Sequence, residues 1–234
     1  MKNFFSYIIV FFMVISSQYL VAQKVIAKGT VKMEITKVTS DDPQMAMGLE
    51  MMKGSQTEVA FKDDQYLTSV DMMGGMVKMK ILVEQSKNAM NMLMDAMGNK
   101  SWIESKLDES QDAKQKEIAK LTKIEYDKND TKEILGYKCY KMTITNPEME
   151  GITVSGYLTE DIKTKANIIQ GFQSIDLPGY AMEFTAGNPK FAMTMTAVDL
   201  KDTVDDSKFT LDTKGYKKIT MEEFKKSMGG GFGF

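Results

Sequence analysis

The sequence predicts a mainly β protein with inserted helices (α+β), in which about ten short antiparallel strands form a sandwich, a barrel or a strongly curved sheet. Two observations predict this class. From residue 29 onward, apolar and polar residues alternate with the two-residue period of half-buried strands, and turn residues interrupt the alternation at short intervals. No segment alternates strand and helix patterns as a parallel sheet requires.

The first half of the chain predicts a meander of short strands. A strand is predicted over residues 66–73, and the apolar positions of the others are Val31, Met33 and Ile35; Val59 and Phe61; Val77, Met79, Ile81 and Val83; Met90, Met92 and Met94; Trp102 and Ile103. Turns are predicted at Asp63-Asp64, Gly74-Gly75 and Gly98-Asn99, because these residues tolerate the backbone angles of tight hairpins.

The second half repeats this pattern. Strands are predicted over residues 137–145, 152–159, 180–184 and 191–200. Asn146-Pro147 and the run Gly187-Asn188-Pro189 separate them, and proline cannot continue a ladder of hydrogen bonds.

Helices are expected to be few. Asp42 is expected to cap a helix that starts at Pro43, carries Met45, Leu49 and Met52 on one face and ends at Gly54. A second amphipathic helix is predicted after Thr159, with Ile162, Ala166 and Ile169 on its apolar face and Gly171 at its end. Residues 104–123 carry only Leu107, Ile118 and Leu121 as a thin stripe and predict a solvated helix or a surface loop.

The last predicted helix lies near the C-terminus. Thr220 and Glu223 have the spacing of a capping box, in which each side chain bonds the backbone N–H of the other residue. Phe224 follows directly.

The ends of the chain predict an envelope or extracellular protein. Residues 1–23 have the positive start and apolar run of a secretory signal peptide, with an uncleaved anchor as the alternative. No cysteine follows the run, so we expect no lipoprotein anchor and a location in the periplasm or outside the cell. Residues 24–228 are expected to form a single domain, and residues 229–234 a flexible Gly/Phe tail.

Composition excludes several classes of function. The formal net charge is −2, and the chain contains no arginine and no histidine. Nucleic-acid binding is therefore not expected, because it needs a basic excess and favours guanidinium forks. Hydrolases that use a catalytic histidine are excluded. The single cysteine, Cys139, cannot close a disulfide within the chain and is interpreted as a half-buried structural residue.

Acidic residues give no sign of a catalytic or metal site. The pairs Asp41-Asp42, Asp63-Asp64, Asp205-Asp206 and Glu222-Glu223 all fall at predicted turns or helix starts, where carboxylates accept hydrogen bonds from backbone amides. Asp199, Asp202, Asp205 and Asp206 lack the glycine and terminal glutamate of a calcium loop. An enzyme is the least supported class, and no cofactor is predicted.

Methionine is the unusual component of this sequence, with 22 residues. A flexible thioether side chain can pack a core, line an adaptable apolar cavity or bind a soft ion such as Cu(I). The predicted cavity lining is Val77, Met79, Ile81, Met90, Met92, Met94, Met182, Phe191, Met193 and Met195. The alternative Cu(I) site is Met90, Met92 and Met94, and a filled core without any ligand is the third interpretation.

Several segments resemble one group of proteins. They are the strand start Gly29-Thr30-Val31, residues 59–64 with the following hairpin, residues 131–139, residues 209–211, and Gly215-Tyr216-Lys217. Together with the signal peptide, they resemble uncharacterised secreted proteins of Gram-negative bacteria related to the LolA/LolB/LppX lipoprotein-carrier superfamily. Residues 176–180 partly match the Leu-Pro-Gly core of the related GLPGLI proteins, with Asp176 and Tyr180 departing from it.

The resemblance implies a half-barrel made of one curved antiparallel sheet of about ten or eleven strands, whose concave face is covered by helices. It also implies an apolar cavity that receives acyl chains. LolA depends on an arginine that this chain lacks, so binding of an apolar ligand is the expected function rather than lipoprotein trafficking. The expected partner is a lipid or another apolar small molecule, an envelope protein is a further candidate, and the protein is expected to be a monomer.

Overall fold

The computed structural model describes residues 25–107, 118–149, 151–169 and 175–227. Its strands are β1 (Lys28–Ser40), β2 (Gln56–Lys62), β3 (Gln65–Met72), β4 (Val77–Glu84), β5 (Ala89–Ala96), β6 (Asn99–Lys106), β7 (Lys123–Ile134), β8 (Tyr137–Thr145), β9 (Thr153–Thr159), β10 (Tyr180–Asn188), β11 (Phe191–Lys201) and β12 (Lys217–Lys218). Its helices with both ends described are α1 (Pro43–Glu50) and α2 (Met221–Ser227), and residues 118–121 are also helical. The predicted signal peptide and the predicted C-terminal tail lie outside the described residues.

All these strands belong to one sheet, in the order β12-β6-β5-β4-β3-β2-β1-β11-β10-β9-β8-β7. Neighbouring strands are antiparallel except β12, which runs parallel to β6. The outermost strands, β12 and β7, do not pair with each other, so the sheet is open, as in a half-barrel. The predicted fold class is confirmed, with twelve strands in place of ten or eleven.

The main core lies where β1 joins the two halves of the sheet. β1 pairs with β2 on one side and with β11 on the other. Val31, Met33 and Val59 are fully buried here, and Phe61 is 2% exposed. Because side chains alternate between the faces of a strand, these residues and their cross-strand partners place one apolar face of the sheet in the core.

The segment after β9 departs from prediction. Residues 163–168 have no regular secondary structure, so the predicted amphipathic helix is wrong over the described residues, and Gly171 lies outside them. The backbone is bonded elsewhere: Ile26 N–H donates to Asp161 O at 2.6 Å, and Lys163 N–H donates to Ile26 O at 2.8 Å. Ile162 and Ile169 are nevertheless fully buried in the main core. Their apolar spacing reflects burial of an irregular segment.

Two other departures concern the middle of the chain. β7 was not predicted, because its sequence is charged and most of its side chains are exposed, which gives no period of two. It also contains an irregularity between Asp127 and Thr131. Of the predicted stripe before β7, Ile118 is buried, Leu107 is half-buried and Leu121 is 40% exposed, with residues 108–117 outside the described part.

α1 forms as predicted. The Asp42 carboxylate accepts hydrogen bonds from the backbone N–H groups of Gln44 at 2.8 Å and Met45 at 3.2 Å, and Pro43 occupies the first turn. The helix ends at Glu50, before the predicted end at Gly54. No residue of α1 is buried, so the helix adds little to the core.

The segment after β11 first covers one face of the sheet. Val204, Phe209 and Leu211 pack against a small core on β2, β3 and β4, which consists of Ala60, Leu67 and Leu82. Leu82 and Met79 occupy positions of opposite parity on β4, so this small core and Met79 lie on opposite faces of the sheet.

The chain then passes around the edge of the sheet. Lys217–Lys218 pairs with β6 as β12, and Ile219 N–H donates to Trp102 O at 2.9 Å. α2 follows on the other face, where Phe224 packs against Met79, Met92, Met94 and Ile103. We call residues 202–227 the C-terminal strap. The predicted capping box is present, since Thr220 N–H and Glu223 N–H each bond the other residue's side chain, at 2.7 and 3.1 Å.

We expect Phe224→Ala to destabilise the protein by about 3 kcal/mol, because it removes a buried aromatic ring and leaves a cavity over the methionines of β4 and β5. The control is Lys226→Ala on the same helix, whose ion pair with Glu222 is 75% and 78% exposed and should change stability little. Urea denaturation measures both effects. Equal stability of the two variants would contradict this account of the strap.

We expect Gly156→Ala to destabilise the protein by about 2–3 kcal/mol. Gly156 pairs with Phe184, and an added Cβ would overlap the Glu183 carbonyl oxygen and lie 2.8 Å from Phe184 Cβ. Gly48→Ala is the matched control: nothing lies within 4 Å of the added Cβ in α1, so the same change should stabilise the helix. Thermal melts that shift in the same direction for both variants would contradict this prediction.

Candidate functional site

The predicted cavity residues of β4, β5 and β11 lie on one face of the sheet. Met79 is opposite Met94, and Ile81 is opposite Met92, in the β4–β5 ladder. Directly opposed residues in a ladder share a face, so these four side chains project from the same side. Met195 projects from that side too, because it is opposite Ile35, which shares a face with Met33 on β1. Met33 is connected to Met79 through the opposed residues Thr57 and Val70 of β2 and β3. We call this side the methionine face.

The structure divides the methionine face into two parts. On β4 to β6, Met79, Met92 and Met94 are 6–8% exposed and form a cluster with Ile103 and Phe224, and Val77 and Ile81 pack against it half-buried. This part is a filled core under α2. Sequence reasoning placed the three methionines on one face but did not identify Phe224 as their cover.

The other part lies on β10 and β11. Met182 is fully buried in the main core. Phe191, Met193 and Met195 are half-buried, and Met195 packs against the main core. The structure therefore does not gather all ten predicted lining residues around one cavity. Met90 on β5, together with Phe191, Met193 and Met195, remains accessible at the margins of the cores.

One polar group on the methionine face is buried without a partner. Ser105 lies directly opposite Met90 in the β5–β6 ladder, so the two side chains share a face. Its Oγ is buried and has no hydrogen-bond partner among the described residues. Buried hydroxyls are usually bonded, so Ser105 is a candidate donor to a bound molecule. Sequence reasoning missed it, because residues 104–123 are predicted as a helix or a loop, whereas residues 104–106 belong to β6.

Two of the three residues of the alternative Cu(I) site are enclosed in a core. Met90, Met92 and Met94 share a face at alternate positions of β5. Met92 and Met94 are enclosed by the cluster under α2, and Met90 alone of the three is half-buried. Binding of Cu(I) by this set remains a prediction.

The acidic pairs perform the structural tasks predicted for them. Asp42 caps α1, and Asp64 accepts a hydrogen bond from Ser86 N–H at 3.0 Å. Asp205 accepts one from Ser207 N–H at 2.9 Å, and Glu223 completes the capping box of α2. Hydrogen bonds from Ser86 hold the pKa of the Asp64 carboxyl below its usual value, as expected for a carboxylate stabilised in its charged form.

Tyrosines and carboxylates on β7 to β9 form hydrogen-bonded pairs. Tyr140 OH donates to Glu160 at 2.6 Å, and burial together with this bond raises the Tyr140 pKa. The same bond and one from Lys128 lower the Glu160 pKa. Both pKa values therefore move away from neutral pH. A catalytic acid and base pair needs pKa values close to the working pH.

Two further buried groups are chemically inert in this setting. Cys139 is fully buried, and burial raises the pKa of its thiol to about 12, so the reactive thiolate is scarce. Tyr180 is 2% exposed, and its hydroxyl has no hydrogen-bond partner in the described part. Burial raises the Tyr180 pKa as well.

A separate cavity of about 410 Å³ lies beside the turn between β8 and β9. Its lining is Leu121, Lys123, Thr145, Asn146, Pro147, Gly151, Ile152 and Thr153. Asn146 is buried, and its side chain bonds Ile118 O at 2.6 Å, Thr122 Oγ1 at 2.8 Å and Glu148 N at 2.8 Å. Its amide group is therefore occupied in holding the turn. None of the predicted lining residues borders this cavity.

Across residues 25–107, 118–149, 151–169 and 175–227, no three His, Cys, Asp or Glu side chains are grouped so that they could hold a metal ion. Among the helices of the same residues, none combines the length and apolar composition needed to cross a membrane.

No protein-family model matches the chain, and no curated protein matches it significantly. Solved structures do match. Lipoprotein LppX of Mycobacterium tuberculosis is 10% identical, with 75% of this chain and 88% of LppX covered and a TM-score of 0.37. LprF of Mycobacterium bovis is 11% identical, with 77% and 89% covered and a TM-score of 0.32. MucB is 10% identical, with 82% of this chain and 60% of MucB covered and a TM-score of 0.33.

LppX is one of the proteins named in the resemblance that the sequence indicates. At these identities and TM-scores, the likeness carries no conclusion about a ligand or an activity. What the chain binds is decided by its own residues.

Proposed function

We propose that this is a non-enzymatic periplasmic or secreted protein that binds a lipid or another apolar molecule on the methionine face. The observation that carries the proposal is a group of half-buried apolar side chains on β11; one further half-buried methionine, on β5, is separated from them by β4, β3, β2 and β1. Met90, Phe191, Met193 and Met195 are large, apolar and only partly covered. Partly covered apolar surface that adjoins a core is where soluble proteins bind apolar ligands.

The chemistry of the lining suits a ligand of variable shape. Methionine has an unbranched, flexible side chain and a polarisable sulfur, so it adapts to different apolar surfaces at low cost. Met193 and Met195 occupy alternate positions on β11 and therefore project from the same face, about 7 Å apart along the strand. An extended acyl chain lying along β11 would contact both thioethers.

Ser105 marks a second place on the methionine face, on β6, which β5, β4, β3, β2 and β1 separate from β11. Its buried Oγ lies on the methionine face opposite Met90 and has no described partner. A ligand with one hydrogen-bonding group and an apolar chain would satisfy this hydroxyl while covering Met90. An amphipathic ligand such as a fatty acid or a lipid therefore fits the face better than a pure hydrocarbon.

The first test removes the apolar character of β11. We expect the double variant Met193→Gln/Met195→Gln to lose most binding of a fluorescent fatty acid, because the amides would have to be desolvated beneath the acyl chain. Met193→Leu/Met195→Leu should retain binding, since the lining stays apolar. Val198→Gln on the same strand is the control for a polar change at an exposed position, because Val198 is 41% exposed.

Native mass spectrometry of the protein purified from its own envelope identifies the ligand class. A non-covalent adduct of lipid mass that the glutamine variant lacks supports the proposal. A clean apo mass, together with fatty-acid binding that is equal in the glutamine variant and in wild type, would contradict it and favour a structural role without a ligand.

The second test concerns the polar contact. We expect Ser105→Ala to weaken binding of a fatty acid by roughly 2- to 10-fold, which corresponds to one hydrogen bond of about 0.5–1.5 kcal/mol. Binding of an apolar dye without hydrogen-bonding groups should not weaken. Competition between the two probes on one sample measures both effects. Equal losses for the two probes would show that Ser105 supports packing and does not contact the polar group.

A further inference from the structure

Exposed methionine side chains are concentrated at one end of the sheet. In the described part of the chain, the methionines classed as exposed are Met45, Met47, Met51, Met73, Met76 and Met97. They lie in the connections that follow β1, β3 and β5. These strands run in the same direction, because each pairs antiparallel with the even-numbered strand between them. The six side chains are therefore at the same end.

Three of these residues form a compact group on two neighbouring turns. Met73 and Met76 belong to the turn between β3 and β4, and Met97 belongs to the turn between β5 and β6. Met97 N–H donates to Met76 O at 2.8 Å, so the two turns are joined directly. The exposed fractions are 37%, 46% and 78%. We call Met73, Met76 and Met97 the methionine rim.

The backbone of the rim disfavours methionine. Met73 has φ 54° and Met97 has φ 52°, in the left-handed region where a Cβ is sterically unfavourable. Asp63 and Asn88 occupy similar positions in other turns, and such polar residues tolerate this conformation better. Leu135 also adopts it, so the conformation alone does not mark a site. The rim differs because two methionines with positive φ, Met73 and Met97, lie beside a third exposed methionine, Met76.

Packing does not account for these side chains either. Met97 is the most exposed large apolar residue in the described part, and neither Met73 nor Met76 is buried. Neither backbone conformation nor burial explains why methionine occupies these positions. The explanation therefore lies in a property of the side chain itself. The property that distinguishes methionine from leucine is a sulfur lone pair, which coordinates soft metal ions.

We propose that the methionine rim binds a soft monovalent cation, Cu(I) or Ag(I), through the three thioethers of Met73, Met76 and Met97. The three side chains are long and flexible, and the two turns that carry them are joined directly by the Met97 N–H to Met76 O bond. The site is distinct from Met90, Met92 and Met94, two of which are enclosed under α2. It is also independent of lipid binding on the methionine face.

The charges near the rim favour a soft ion over hard divalent ions. Asp71 pairs with Lys78, Lys78 with Asp95, and Asp95 with Lys100 across neighbouring strands. Each carboxylate thus has an ammonium beside it, and the ladder has no net charge. Zn²⁺ and Ca²⁺ depend on histidine, thiolate or carboxylate ligands. The carboxylates beside the rim each have a lysine next to them, so they are poor ligands for these ions.

The ligands also give binding a distinctive pH dependence. A thioether does not take up a proton in water, so no proton competes with the metal at the rim. Asp71, Lys78, Asp95 and Lys100 are the charged groups on the adjoining strands. Affinity should be the same at pH 5 and pH 8. Binding through the Cys139 thiolate would instead fall steeply on acidification.

The experiment is an anaerobic titration of the purified full chain with Cu(I), in competition with a chromophoric Cu(I) chelator. Wild type should bind one Cu(I) with equal affinity at pH 5 and pH 8. Met73→Leu/Met76→Leu/Met97→Leu should weaken binding by more than about 100-fold, exceeding the loss that an outer-sphere partner causes. Leucine keeps the size and apolar character of the side chains, so melting curves and fatty-acid binding should match wild type.

Three matched controls use the other sulfur residues. Met45→Leu/Met47→Leu/Met51→Leu removes the exposed methionines of α1, Met90→Leu/Met92→Leu/Met94→Leu removes the alternative set, and Cys139→Ser removes the thiol. All three should bind Cu(I) like wild type. Loss of binding in any of these variants with retention in the rim variant would overturn the proposal, as would no binding by wild type or a steep fall between pH 8 and pH 5.

The left-handed residues allow one more check of the same site. Met73→Gly/Met97→Gly should raise the melting temperature, because glycine adopts positive φ without a steric penalty. The same variant should lose Cu(I) binding. A stabilised variant that still binds Cu(I) like wild type would overturn the proposal, since a folded protein would then bind without two of the three ligands.

Discussion

The C-terminal strap is the contact on which the N-terminal half of the sheet depends. A sheet is stable only when its apolar side is covered by another layer. On β2 to β4, Phe209 and its neighbours cover one side, and on β4 to β6 Phe224 covers the other. Between these two contacts, β12 bonds the edge of β6 and closes it to further strands. One segment thus buries two opposite faces and protects an edge.

The strands were predictable where one face is buried and turns are marked by glycine, asparagine or proline. β8 has the bounds that its alternation predicts, because Met142 and Ile144 are buried while their neighbours are not. β7 was missed because an edge strand with charged residues on both sides carries no period. The segment with Ile162 and Ile169 was predicted as a helix because their spacing fits a helical face. Burial of an irregular segment produces the same spacing.

The methionine face was predictable as a face, but its covering was not. Alternation fixes which side chains of β5 share a side, and the ladder confirms this for Met92 and Met94. Whether that side is core or cavity depends on what lies over it. For Met92 and Met94 the cover is Phe224, which is remote in sequence and joined to them by no local pattern. For Met193 and Met195 the described residues leave the cover incomplete. The same alternation of apolar and polar residues therefore marks a filled core on β5 and a partly covered surface on β11.

The abundance of methionine therefore has no single explanation. Met33, Met142 and Met182 are fully buried, where hydrophobic burial and dense packing account for an apolar side chain of any flexible kind. The methionines on β11 are half-buried, and under the proposed function their flexibility suits a ligand whose shape the fold does not fix. At the rim, neither burial nor backbone preference favours methionine, and only the sulfur remains as a reason. Position in the sheet thus separates three roles that composition combines: packing in the core, adaptability at its margins and coordination at the exposed turns.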